Sequence, residues 1–165
     1  MAIELKRLTH YSGEKASVYA VLNTANNTHP FADFLRRYAG SIYEDKAMNL
    51  VGRIKSMGTK TGVIDEFLKL NESEIKGKAE NMCALFDKPK KEMRLFCIKI
   101  SNKIIVIGDG APKPPNIIKW QQCPTLSKAA RYMMLISEAI KSKVNSGSLS
   151  ISSDGMSFKG NLKIA

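Results

Sequence analysis

Met93-Arg94-Leu95-Phe96-Cys97-Ile98-Lys99-Ile100, then Ser101-Asn102, then Lys103-Ile104-Ile105-Val106-Ile107 is the stretch from which the fold can be read. Two apolar runs rich in β-branched and aromatic residues, joined by a polar dipeptide, predict a tight β-hairpin. The part Met93–Ile98 is apolar on both faces apart from Arg94, the pattern of a central strand covered on both sides. A lone arginine in such a strand is the most informative residue of the chain.

Upstream, Cys83–Phe86 and Phe67–Leu70 read as two shorter strands, and Ile3–Leu8 with Ser17–Leu22 as a strand pair joined around Tyr11-Ser12-Gly13-Glu14. Between them, Pro30 opens a helix that carries Phe31, Phe34, Leu35 and Tyr38 on one face and stops at Gly40. Ser41 with Glu44 forms a capping-box pattern for a second helix bearing Ala47, Leu50, Val51, Ile54 and Met57, closed by Gly58.

Downstream, Gly108-Asp109-Gly110-Ala111-Pro112-Lys113-Pro114-Pro115 reads as a loop leaving the sheet edge. A third helix runs from about Thr125 to Lys143. Asn145–Ser148 resembles a linker, and Leu149–Phe158 with Leu162–Ile164 forms a small hairpin around Ser153-Asp154-Gly155. The fold expected is therefore α+β: two N-terminal-half helices packed on a twisted, mostly antiparallel sheet, with a C-terminal helix and a small terminal hairpin. Residues 1–145 form the domain and 146–165 a C-terminal extension.

With 165 residues, 44% of them hydrophobic, the chain suffices for one core. No run approaches the roughly 20 apolar residues of a membrane span, and Glu4 interrupts the first residues, so no membrane partner and a cytoplasmic location are expected. Cys83, Cys97 and Cys123 are odd in number and widely spaced, and His10 and His29 are the only histidines. Neither a disulfide framework nor a metal site is expected, and no cofactor.

Net charge is +11. Met1–Leu85 carries 12 Lys/Arg against 10 Asp/Glu, whereas Phe86–Ala165 carries 14 against 5, so nearly all the surplus lies in the second half. That asymmetry favours a phosphate-rich partner such as RNA, with a plain lysine-rich surface as the alternative.

Gly108-Asp109-Gly110 lacks the phosphate-loop pattern and reads as a chain turn. Asp65-Glu66 and Glu72 with Glu74 are paired carboxylates within a mixed-charge stretch, explained by a solvated face. The basic constellation differs. Lys88, Lys90 and Lys91 precede the central strand, Lys99 and Lys103 flank its hairpin, and Lys113 and Lys119 follow the next strand beside Trp120. Cations interleaved with an aromatic suit phosphates and a stacked base. Such cations can also stabilise the pentavalent phosphate formed when a 2′-hydroxyl attacks its own RNA backbone. The competing reading of Arg94 is a buried arginine paired to Asp109 or Glu92.

The order of helix, helix, F-L-K-L, C-A-L-F-D, M-R-L-F-C-I-K-I, K-I-I-V-I-G-D-G-A-P-K and a late helix resembles the RelE/HigB-like toxins of type II toxin-antitoxin systems, over roughly Phe31–Lys143. The resemblance implies a messenger RNA endonuclease, commonly working in the ribosome and silenced by an antitoxin protein. It places Arg94 where the family keeps a phosphate-contacting arginine, Lys113 near a basic position after the next strand, and Trp120 roughly where some members place a tyrosine. Arg94 and Lys113 are the catalytic candidates. Lys88, Lys90, Lys91, Lys99, Lys103, Lys119 and Trp120 are the RNA-binding candidates. A tryptophan lacks the acid-base group of a tyrosine, and the first strand pair and the tail are additions to the family pattern. The alternative function is a non-catalytic basic domain of a phage or mobile element that binds nucleic acid or protein.

Overall fold

The computed structural model describes residues 2–165. Its centre is the hairpin expected from the sequence: β5 (Met93–Lys99) pairs antiparallel with β6 (Ile104–Pro112), and Ile100 N–H closes the turn on Ile104 O at 3.0 Å. β4 (Met82–Phe86) and the two-residue β3 (Leu68–Lys69) continue the sheet antiparallel on one side. On the other side β2 (Ser17–Asn23) joins β6 in parallel, and β1 (Ile3–Arg7) forms the edge. The strand order is β1-β2-β6-β5-β4-β3.

Alternation along β5 sends Phe96 and Ile98 to one face, and Leu95 and Cys97 to the other, all fully buried. The second face is covered by α1 (Pro30–Tyr38) and α2 (Glu44–Ser56), which present Phe31, Phe34, Leu50 and Ile54. The first is covered by α3 (Pro124–Asn145) through Leu126, Ala130, Met133, Ile136 and Ile140. Each fully buried Phe, Leu or Ile contributes about 1.5–3 kcal/mol of transfer free energy, so both faces are needed.

His29 caps α1, its Nδ1 accepting the Ala32 N–H at 3.1 Å. Burial lowers the pKa of this imidazole, keeping it the neutral acceptor the cap requires. The capping box expected at α2 does not form. Ser41 Oγ instead accepts from Tyr43 N–H, and Glu44 reaches back to Gly40 N–H. Nor does the helix stop at Gly58. It continues as a π-turn through Met57–Thr61 and ends at Gly62, whose φ of +75° breaks it. Gly58 serves close approach instead, since a Cβ there would fall 1.9 Å from Tyr11 O.

Of the segment read as a loop, Gly108–Pro115, the part Gly108–Pro112 belongs to β6. Gly108 and Asp109 together oppose the single residue Phe96, a bulge that lets the strand continue while it bends. A Cβ on Gly110 would meet Arg94 O at 2.0 Å, so glycine is what permits the two strands to approach so closely there.

The tail is integral to the fold. β7 (Leu149–Ile151) and β8 (Phe158–Gly160) form the terminal hairpin. Leu149, Phe158 and Ile164 share the core of α3. Residues 145–148, read as a linker, are an ordered turn in which Ser146 N–H and Gly147 N–H bond Ser142 O and Val144 O. Among the described residues no helix is long and apolar enough to cross a membrane.

Candidate functional site

Arg94 lies near the start of β5, opposite Phe86 on one side and Ala111 on the other. Its alternation with Phe96 directs it to the α3 face. There its Nη1 meets Glu72 Oε1 at 3.4 Å, with side chains 11% and 5% exposed. The partner is thus neither Asp109, which pairs with Arg37, nor Glu92, which pairs with Lys46.

Glu72 is not part of a solvated face. It is buried because the irregular chain after β3 folds under the short 3-10 turn at Trp120–Gln122, and the Trp120 Nε1–H donates to Glu72 O at 2.9 Å. Lys69 Nζ approaches the same carboxylate oxygen at 3.4 Å. Lys113, half-buried one residue past β6, completes the group. Its pKa is lowered by burial first, then by the charges of Arg94 and Lys69, with Glu72 opposing. Lys69 and Arg94 thus share one carboxylate oxygen, and Lys113, beyond salt-bridge distance of Glu72, adds a third positive charge to their field. Mutual repulsion of this kind is relieved by an incoming anion. The Arg94 Nε is shielded from solvent and has no hydrogen-bond partner among the described residues.

The other candidate residues divide. Lys88, Lys90 and Lys91 are exposed on the β4–β5 turn, at the same end of the sheet as Arg94 and Lys113, and Lys91 Nζ sits 4.9 Å from the centre of the Phe86 ring. Lys99 and Lys103 lie at the opposite end of β5, where Lys99 is about 17 Å from Arg94 along the strand. There Lys99 is bound to Asp65 at 2.6 Å, and Lys103 donates to Asp154 O at 2.9 Å. These two do not join the Arg94 cluster, which corrects the single basic surface expected from sequence. Lys119 is exposed beside the 3-10 turn.

Trp120 is 5% exposed, packed edge-on to Phe96 at 6.3 Å, with Arg131 5.8 Å from its ring centre. It is a structural wall and offers no free face to a base, against the stacking role expected of it. Lys69 and Glu72 belong to this cluster although the sequence reading did not single them out as site residues. Their signal in the sequence is faint: an i,i+3 Lys–Glu pair in a charged stretch, unreadable without the indole that folds over it.

No family model, curated protein or solved structure matches the chain.

Proposed function

We propose that the chain is a RelE/HigB-like toxin, a metal-independent endoribonuclease that acts on messenger RNA in the cytoplasm and is neutralised by an antitoxin. What supports the reading is the convergence of Lys69 and Arg94 on one carboxylate oxygen of Glu72, with the charge of Lys113 felt beside them. A backbone phosphate entering this cluster takes hydrogen bonds from Arg94 and Lys69. In the cleavage step the 2′-oxygen bonds to phosphorus and the bond to the 5′-oxygen breaks, giving a 2′,3′-cyclic phosphate and a 5′-hydroxyl. The 2′-hydroxyl proton passes to solvent. Lys113, with its lowered pKa, is suited to give its proton to the departing 5′-oxygen and regain one from water. Arg94 and Lys69 stabilise the charge gathered on the non-bridging oxygens. Lys88, Lys90 and Lys91 hold the flanking backbone. Arg94 and Lys113 are also the two positions that the family resemblance singles out.

A second reading, RNA binding without cleavage, is favoured by one observation: Glu72 already engages Arg94, whose side chain is only 11% exposed. Incubating end-labelled RNA with the protein, in EDTA and beside Arg94→Ala and Lys113→Ala, separates the two. Cyclic-phosphate ends with the parent chain, lost in both variants, support the nuclease. Intact RNA with salt-dependent binding supports the second reading, since phosphate contacts release counterions. No affinity for RNA even at low salt defeats both.

A further inference from the structure

Strands β2 and β6 run side by side only from the Ser17–Ile104 rung to the Ala20–Ile107 rung. Beyond it β2 follows β1 to Asn23 and β6 follows β5 to Pro112, so the two part. The helix after β2, α1, covers one face of the sheet, and the helix after β6, α3, covers the other. Parallel neighbours whose following helices take opposite faces leave a crevice outside their carboxyl ends, the place where open α/β sheets hold ligands. Here the crevice has a volume of about 630 Å³, inside the roughly 300–1,000 Å³ of small-molecule sites. The β6 bulge turns Asp109 toward it, as bulges beside binding sites do.

Its walls carry both signs of charge. Asp33 and Arg37 come from α1, Asp109 from β6, and Lys128, Tyr132 and Leu135 from α3. Arg37 and Asp109 are 3.3 Å apart, while Lys128 has no carboxylate within salt-bridge distance among the described residues. The Tyr132 hydroxyl is shielded from solvent and has no hydrogen-bond partner among the described residues. Asn23 and Asn26 add amides whose oxygens are engaged, Asn23 Oδ1 by Ala25 N–H at 3.1 Å and Asn26 Oδ1 by Thr28 Oγ1 at 2.7 Å. Their NH2 groups are left as donors.

A bare anion placed here meets Asp33 and Asp109, a bare cation meets Arg37 and Lys128, and a hydrocarbon leaves Lys128 without a partner and strips water from the Arg37–Asp109 and Asp33–Arg36 pairs. The set matches a molecule with a flat apolar body for Tyr132 and Leu135, hydroxyl or amino donors for the carboxylates, ring acceptors for the asparagine amides, and a phosphate for Lys128. We propose that this crevice binds a nucleoside monophosphate unit, either free or as one nucleotide of an RNA chain. The site is separate from the Lys69–Arg94–Lys113 cluster and does not depend on cleavage occurring there.

Titrating the ¹⁵N-labelled protein with each of the four ribonucleoside 5′-monophosphates, the matching nucleosides and inorganic phosphate tests this. Saturable binding of at least one nucleotide is expected, with shifts at Asn23, Asp109 and Lys128, at least about tenfold tighter than phosphate alone. Lys128→Ala weakens the nucleotide about tenfold, as loss of a charge-assisted bond should, and leaves the nucleoside unchanged. Lys113→Ala leaves both unchanged. A short RNA that displaces the bound nucleotide assigns the site to the RNA chain, and one that binds beside it assigns the site to free nucleotide; either supports the proposal. Phosphate binding as tightly as the nucleotide, shifts confined to Lys69, Arg94 and Lys113, or no saturation at millimolar nucleotide overturns it. Loss of RNA cleavage alone does not touch it.

Discussion

Arg94 and Glu72 face each other at 3.4 Å under the Trp120 indole, and Glu72 is the only carboxylate within salt-bridge distance of that guanidinium among the described residues. Removing one partner of such a pair leaves an unopposed charge in a poorly solvated place, which costs more than the pair itself contributes. Glu72→Gln also leaves Lys69 and Lys113 facing Arg94 with no counter-charge. The expected outcome is a loss of about 3 kcal/mol in urea unfolding. Arg94→Met, which removes the charge and the unpartnered Nε together, costs less, and adding it to Glu72→Gln restores part of the loss. Equal stabilities for Glu72→Gln and the parent chain would show that the pair does not hold this corner.

Lys113 gives the cluster a pH signature. Burial, then Arg94 and Lys69, lower its pKa below the ordinary 10.5. Between the lowered value and 10.5 the unfolded chain binds more protons than the folded one, so this residue's contribution to stability rises with pH across that window. Phosphate binding has the opposite sign, because the anion favours the charged lysine. RNA affinity at fixed salt is therefore expected to fall as the solution becomes alkaline, starting below the range of a solvated lysine. Lys113→Arg, charged throughout, should flatten the curve, as anisotropy titrations at a series of pH values would show. An unaltered curve would exclude Lys113 from the phosphate site.

The sheet was legible because β5 and β6 carry its signal in their own residues, apolar on both faces and broken by Ser101-Asn102. Helices α1 and α2 were legible from 3.6-residue periodicity, and their apolar faces are the ones buried. What could not be read depends on contacts between distant segments. Gly108 and Gly110 look like loop glycines, yet they stand in a strand because Met133 and the Arg94 backbone press against them. Glu72 resembles its solvated neighbours until Trp120, 48 positions later, closes over it. Arg94 could be picked out as unusual, but its partner could not, since ion pairing across a sheet leaves no periodic trace.

Cys83 and Cys97 occupy directly opposed positions of β4 and β5, with Sγ atoms 3.1 Å apart and both side chains sealed in the core. Burial, reinforced by Cys83, pushes the Cys97 thiol well above its ordinary range, and the thiolate is the reactive form. Cys123, at the start of α3, is half-buried. Under native conditions a thiol reagent such as Ellman's should titrate one cysteine of the three, and in denaturant all three. Cys123→Ser should abolish the native reaction. Rapid labelling of Cys97 in the folded protein would contradict the packing of the β4–β5 pair.

The tail offers the sharpest test of where the folding unit ends. The sequence divides into a domain 1–145 and an extension 146–165. Yet Phe158 packs at 4.9 Å against Tyr19, its N–H donating to the Tyr19 hydroxyl at 3.0 Å, and Leu149 and Ile164 lie in the same core. The last residues also cover the open edge of the sheet. Ile3 N–H donates to Ala165 O at 2.8 Å and Leu5 N–H to Leu162 O at 2.9 Å. Without them β1 presents unpaired donors, a template for pairing with another chain. A chain ending at Asn145 is expected to unfold at lower urea and to self-associate in gel filtration. Phe158→Ala, which empties a large buried site and leaves the edge covered, should cost about 3–4 kcal/mol while the elution volume stays that of the parent chain. If the shortened chain matched the full one in stability and in elution, β7, β8 and the final residues would be an appendage, and the sheet would not need them.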